Sequence, residues 1–79
     1  MDYDTDKIDE YTLALFYLVT HDRQEGFGAR AWKGFDWETM NRLHGKGYIT
    51  NPAGRAKSVG LTEEAFLKAK QLFERHFAK

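Results

Sequence analysis

The chain contains no cysteine and a single proline, and its charges cancel to zero. Without cysteine there is no disulfide to brace a small core, no thiolate to attack a substrate and no thiolate to ligate metal. A small chain of this kind fits a reducing compartment, and the expectation is a cytoplasmic protein. The longest apolar run, Leu13 to Val19, is far short of the roughly 20 residues that span a bilayer. The acidic start lacks the basic-then-apolar layout of a secretion signal. Zero net charge also removes the strongly basic character of a typical DNA-binding domain.

What is present is a chain of 79 residues, read as one domain over 1–79, with 42% hydrophobic residues and 15% aromatics. A domain of this size buries only about 60% of its unfolded surface, so its core is marginal. The charge is unevenly spread. Residues 1–25 hold seven acids and two bases, residues 26–60 two acids and six bases, and residues 61–79 three acids and four bases.

Acids crowd the start of an apolar segment, where they complement a helix dipole, with Asp4 or Thr5 as cap. The pattern predicts a first helix over about Asp6 to His21. It is apolar nearly all round, which places it centrally in the core or partly under another chain. The glycines flanking Phe27 predict a mobile loop over 22–30. Trp32 falls in a short extended piece, Asp36 is a helix cap, and Trp37, Met40 and Leu43 form the buried face of a second helix that exposes Glu38, Asn41, Arg42 and Lys46. Gly47 supplies its left-handed stop. Tyr48 to Thr50 reads as a strand, Asn51 to Gly54 as a turn, and Lys57 to Leu61 as a return strand with Val59 and Leu61 on one face. Thr62 then caps a last helix whose apolar face is Ala65, Phe66, Ala69, Leu72, Phe73 and Phe77. The resulting fold class is α+β: three helices with a small antiparallel sheet, of winged-helix type.

The run Leu43, Lys46-Gly47-Tyr48-Ile49, Arg55 and Val59 to Glu64 resembles the recognition helix, wing and following helix of MarR-type winged-helix repressors. The chain as a whole is similar to a family of small bacterial proteins that share MDYD, RAWKGFDW, LHxKG and AKSVxLTEE. That family is a domain of unknown function, so the resemblance implies a winged-helix-like fold and no activity. The chain departs from its pattern at Gly45, at Ala65 and in Gln24 to Gly28, which looks like an insertion. The Gly-rich stretch between the first two helices leaves no room for the bracing helix of a helix-turn-helix.

Two function classes follow. The first is a non-enzymatic protein-interaction or homodimerisation module with a regulatory role, its interface drawn from Tyr11, Phe16, Leu18 and Trp32. The alternative is a nucleic-acid-binding regulator, with Asn41 and Arg42 reading bases and Lys46, Arg55 and Lys57 contributing positive charge. Trp32, Phe35 and Trp37 are read as core and staple residues rather than a stacking platform, with Trp32 the one expected to be partly exposed. Catalysis is not expected. His21, His44 and His76 sit near helix ends, where a dipole accounts for them. Ser58 lacks a nucleophile elbow, and Asp2-x-Asp4-x-Asp6 has Lys7 and Leu13 where a calcium loop needs glycine and glutamate. No cofactor, metal, membrane or small-molecule substrate is implied.

Overall fold

The computed structural model describes every residue from Met1 to Lys79. The elements run α1 (Thr5–Leu18), β1 (Thr20–Gln24), β2 (Gly28–Trp32), α2 (Trp37–Gly45), β3 (Ser58–Leu61) and α3 (Glu63–Phe77). The three strands form one antiparallel sheet in the order β1-β2-β3. This α+β layout is consistent with a winged-helix-like fold.

The helix boundaries follow from local chemistry. Asp4, Asp36 and Thr62 each turn a side-chain oxygen onto a backbone N–H of the first turn they precede, which satisfies one of the donors a helix start leaves open. At the end of α2, Gly47 adopts φ +81°. There the Tyr48 N–H donates to the Leu43 carbonyl and the Gly47 N–H to the His44 carbonyl, the paired bonds of a Schellman stop. α1 ends at Leu18, three residues before the expected end, because Thr20 and His21 enter a strand.

The segment expected to be a mobile loop is the β1–β2 hairpin. Its strands carry little apolar signal, since only the small Ala29 and Ala31 face the core. Long-range contacts hold it. Arg23 makes a two-pronged ion pair with Glu63 at the start of α3, at 2.6 and 2.9 Å. The Glu63 carboxylate also accepts the Gly28 N–H, and the Arg23 guanidinium lies 4.2 Å from the Phe66 ring centre. Gly28 must be glycine: its φ is +110° and a Cβ there would collide with the Leu61 carbonyl oxygen. The Gln24 to Gly28 stretch forms the hairpin's turn. Conversely, the expected strand over 48–50 reduces to one bridge, Ile49 to Leu61.

Leu13, Phe16, Met40, Leu43, Val59, Leu61, Phe66 and Leu72 lead a single core between the helices and the inner face of the sheet. The molecule measures 40 × 36 × 18 Å. Its thin dimension accommodates one helix layer on one sheet. The other sheet face, carrying Arg30, Trp32, Ser58 and Gly60, has no helix over it. Trp37, expected in the core, is 56% exposed, and Thr39 takes the buried place beside Met40 and Leu43. The 37-40-43 spacing misleads because the buried stripe also includes Thr39, held by the Asp36 cap.

The Arg23–Glu63 pair sets a pH dependence. Its hydrogen bond to Arg23, foremost, and the Gly28 N–H hold the Glu63 carboxyl below its usual range. A depressed carboxyl adds stability above the unfolded-state value and loses it as pH falls through the folded value. The urea midpoint should therefore drop as pH falls below about 4.3, the ordinary glutamate value. Glu63→Gln should start lower at neutral pH and change less over the same acid window. Parallel curves for the two proteins would show that the pair contributes nothing.

Candidate functional site

Asp9 lies in the second turn of α1 with its side chain only 3% exposed. An isolated carboxylate in that position is costly, and it persists because cations reach it. Arg42 donates Nε to Asp9 Oδ1 at 2.8 Å, and Lys46 donates Nζ to Oδ2 at 2.8 Å. Lys46 also reaches Asp6 at 3.2 Å. Arg42 donates Nη2 to the Thr39 hydroxyl, which donates to the Asp36 cap. A continuous chain of polar contacts thus runs from the start of α2, through Asp9, back to the start of α1. Acids near the beginning of α1 meet bases at the end of α2, so each helix dipole favours the charges placed there. The hydrogen bond to Asp9 raises the Lys46 pKa, and that to the Thr39 backbone lowers the Asp36 pKa.

This arrangement settles the geometry of the five basic-segment candidates. Arg42 and Lys46 are committed to the α1–α2 junction, and they do not project from α2 as a reading face. Asn41 is exposed on α2 and makes no side-chain hydrogen bond. Arg55 and Lys57 are exposed in the segment before β3. The five are split between one structural junction, one exposed position on α2 and one loop.

The expected interface residues also divide. Phe16 is a correction: it is fully buried, with its ring 5.1 Å from Phe35 in an edge-on contact, so it cannot meet a partner. Its face of α1, shared with Asp9, Thr12 and Leu13, points into the core. Tyr11 and Leu18 are 40% and 63% exposed. They fall on a different stripe with Ile8, 40% exposed, and the half-buried Leu15. The spacing 8-11-15-18 is that of a coiled-coil seam. The patch continues onto α3. Tyr11 packs on His76 at 4.4 Å, and the adjacent Phe77 is 49% exposed. Ile8 and Leu15 were not among the residues expected at an interface, although the 3-4-3 spacing shows that they share this stripe. Trp32 is half-exposed on the open sheet face, stacked on His21 at 4.0 Å.

No group of three histidine or acidic side chains is placed to hold a metal ion. No helix is long and apolar enough to cross a membrane.

Residues 4–79 match the family described as "Domain of unknown function (DUF6429)". Over all 79 residues, and over the full length of both chains, the protein is 43% identical to "Uncharacterized protein y4hR" of Sinorhizobium fredii (strain NBRC 101917 / NGR234). No solved structure matches it. The whole-chain family resemblance read from the sequence is thereby established, and neither match names a winged-helix protein.

Asp9→Ala should lower folding stability by about 2–3 kcal/mol, below the most severe buried-pair losses because Arg42 and Lys46 can swing into water. Arg42→Ala should cost less. The double variant should be less destabilised than the sum of the singles by about 1 kcal/mol or more, measured by denaturant unfolding. Strict additivity would show that the two side chains do not depend on each other.

Proposed function

The chain belongs to the DUF6429 family, and we propose that it is a non-enzymatic interaction module that pairs with a second copy of itself through α1. The observation that carries this reading is the seam of exposed Ile8, Tyr11 and Leu18 with half-buried Leu15. A 3-4-3 spacing is a palindrome. A two-fold axis between Tyr11 and Leu15 superimposes the stripe on itself with the helices antiparallel, setting Ile8 against Leu18 and Tyr11 against Leu15. Closed two-fold symmetry needs that kind of self-complementary patch. Apolar surface in one stripe, continued by Phe77, is also what water most readily gives up to a partner.

The patch is formed by a handful of side chains, against the roughly 20–30 residues a side of a standard interface. The pairing is therefore weak and reversible, with a dissociation constant of roughly micromolar order. Such a concentration-dependent dimer suits a regulatory role in the cytoplasm. Duplex DNA recognition by α2 is the less supported reading. Of its three candidate contacts, Arg42 and Lys46 are held by Asp9, which leaves Asn41 alone.

Sedimentation equilibrium from about 1 to 500 μM should show a monomer–dimer equilibrium centred in the micromolar range. Tyr11→Glu and Leu18→Glu should abolish it without changing the far-ultraviolet circular dichroism, since both side chains are already exposed. Phe16→Glu, by contrast, should unfold the chain. A wild-type protein that stays monomeric at the highest concentration would end the self-pairing reading.

A further inference from the structure

The second uncovered surface is the sheet face away from the helices. Along β2, Ala29 and Ala31 point into the core while Arg30 and Trp32 point out. Trp32 rests one ring face on His21, at a centroid distance of 4.0 Å and an interplanar angle of 27°. Its cross-strand neighbour on β3 is the small Ser58, so no bulky side chain from that strand covers the indole. Arg30 lies one register step away, opposite Gly60. It donates Nε and Nη2 to the Ser58 hydroxyl at 3.1 and 3.0 Å, and Nη2 to the Ser58 carbonyl at 3.1 Å. Its Nη1 makes no hydrogen bond. An open depression of about 410 Å³ continues along the same face past Gly60 to Thr50 and Phe27.

The loop before β3 carries further charge at the end of the sheet, next to this face. Lys33 follows Trp32 directly; its N–H donates to the Lys57 carbonyl. Its ammonium donates to the Pro52 and Gly54 carbonyls at 2.6 and 3.1 Å. Those bonds fold the 52–57 segment against the end of β2, beside Trp32. Arg30, Lys33, Arg55 and Lys57 all lack a carboxylate partner, whereas Arg23, Arg42 and Lys46 each have one. The acid on this face is Asp22, on the β1 side opposite Arg30. An anionic strand would therefore pass on the β3 side.

We propose that this face binds single-stranded nucleic acid, with one base stacked on Trp32 and neighbouring phosphates held by Arg30, Arg55 and Lys57. Exposed indole beside unpaired cations is the pairing that single strands require, because every base has a π-face and every link a charge. A duplex keeps its base faces stacked inside, and α2 has no free cation to place in a groove. The chemistry thus selects an unpaired strand.

The test is fluorescence anisotropy of end-labelled oligothymidylate with the full-length chain, at about 50 and 200 mM salt. The expected result is binding at low salt that weakens as salt rises, with a log–log slope of about −2 for three phosphate contacts. Trp32→Ala should weaken binding by at least about fivefold and Trp32→Phe by much less. Arg55→Ala and Lys57→Ala should each reduce the slope by about 0.7. Circular dichroism melting of each variant confirms that the fold is intact. No binding at low salt overturns the proposal. So does equal affinity for the matching duplex, or displacement by inorganic polyphosphate together with an unaffected Trp32→Ala, which would mark a nonspecific polyanion contact.

Discussion

The placement of α2 depends on one buried carboxylate. This helix has nine residues and buries only Thr39, Met40 and Leu43, too little apolar surface to fix its orientation on α1. Asp9 provides what the apolar contact lacks. Its side chain is out of water and must be met by charge, and the available cations stand on consecutive turns at the end of α2. A buried ion pair adds little net stability compared with an apolar pair of the same volume, but it penalises every arrangement that leaves the charge alone. Here it specifies one packing of α2 on α1. The same requirement removes Arg42 and Lys46 from any external role, so a basic segment in the sequence becomes a smaller basic surface in the fold.

The hairpin is held on the same principle at the opposite edge. Arg23 and Glu63 join residues forty positions apart, and together with the β2–β3 pairing they hold strands whose own sequence has almost no apolar alternation. This explains which parts of the fold were legible in the sequence. Caps and stops were legible because they are local: Asp36, Thr62 and Gly47 act within a few residues of themselves. β3 was legible from the alternation of Val59 and Leu61. β1 and most of β2 were not, because Thr-His-Asp-Arg-Gln and Gly-Ala-Arg-Ala-Trp present polar or small residues inward and the glycines at the turn read as mobility; only the extended piece at Trp32 was legible. Five-residue stretches on either side of a Gly-flanked Phe27 were the available hairpin signal.

The candidate sites show the same division. An all-round apolar α1 left open whether the core or another chain covers it, and did not show which face the core takes. Phe16, Leu13 and Thr12 face the core, and Ile8, Tyr11, Leu15 and Leu18 do not. Only the direction of α2 and α3 separates the two stripes. For Trp37 the sequence pattern favoured burial, because aromatics next to a helix start usually staple it. In the fold Phe16 and Phe35 pack against each other there instead, while Trp32 is half-exposed as expected.

A domain of one helix layer on one sheet necessarily has two faces without a second layer. In a chain this short the fraction of surface that can be buried is low, so some apolar area stays outside whatever the sequence. What distinguishes this molecule is how that area is sorted. The α1 seam is aliphatic with one tyrosine, and its spacing repeats symmetrically. The sheet face has one aromatic platform and an arginine without an acid partner, with the unpaired cations of the loop before β3 at its end. The first composition suits a copy of the same surface, because aliphatic side chains at matching intervals interlock and carry no charge to oppose. The second suits a partner that is itself charged and flat. Two patches left open by simple shortage of core would have no reason to differ in this way.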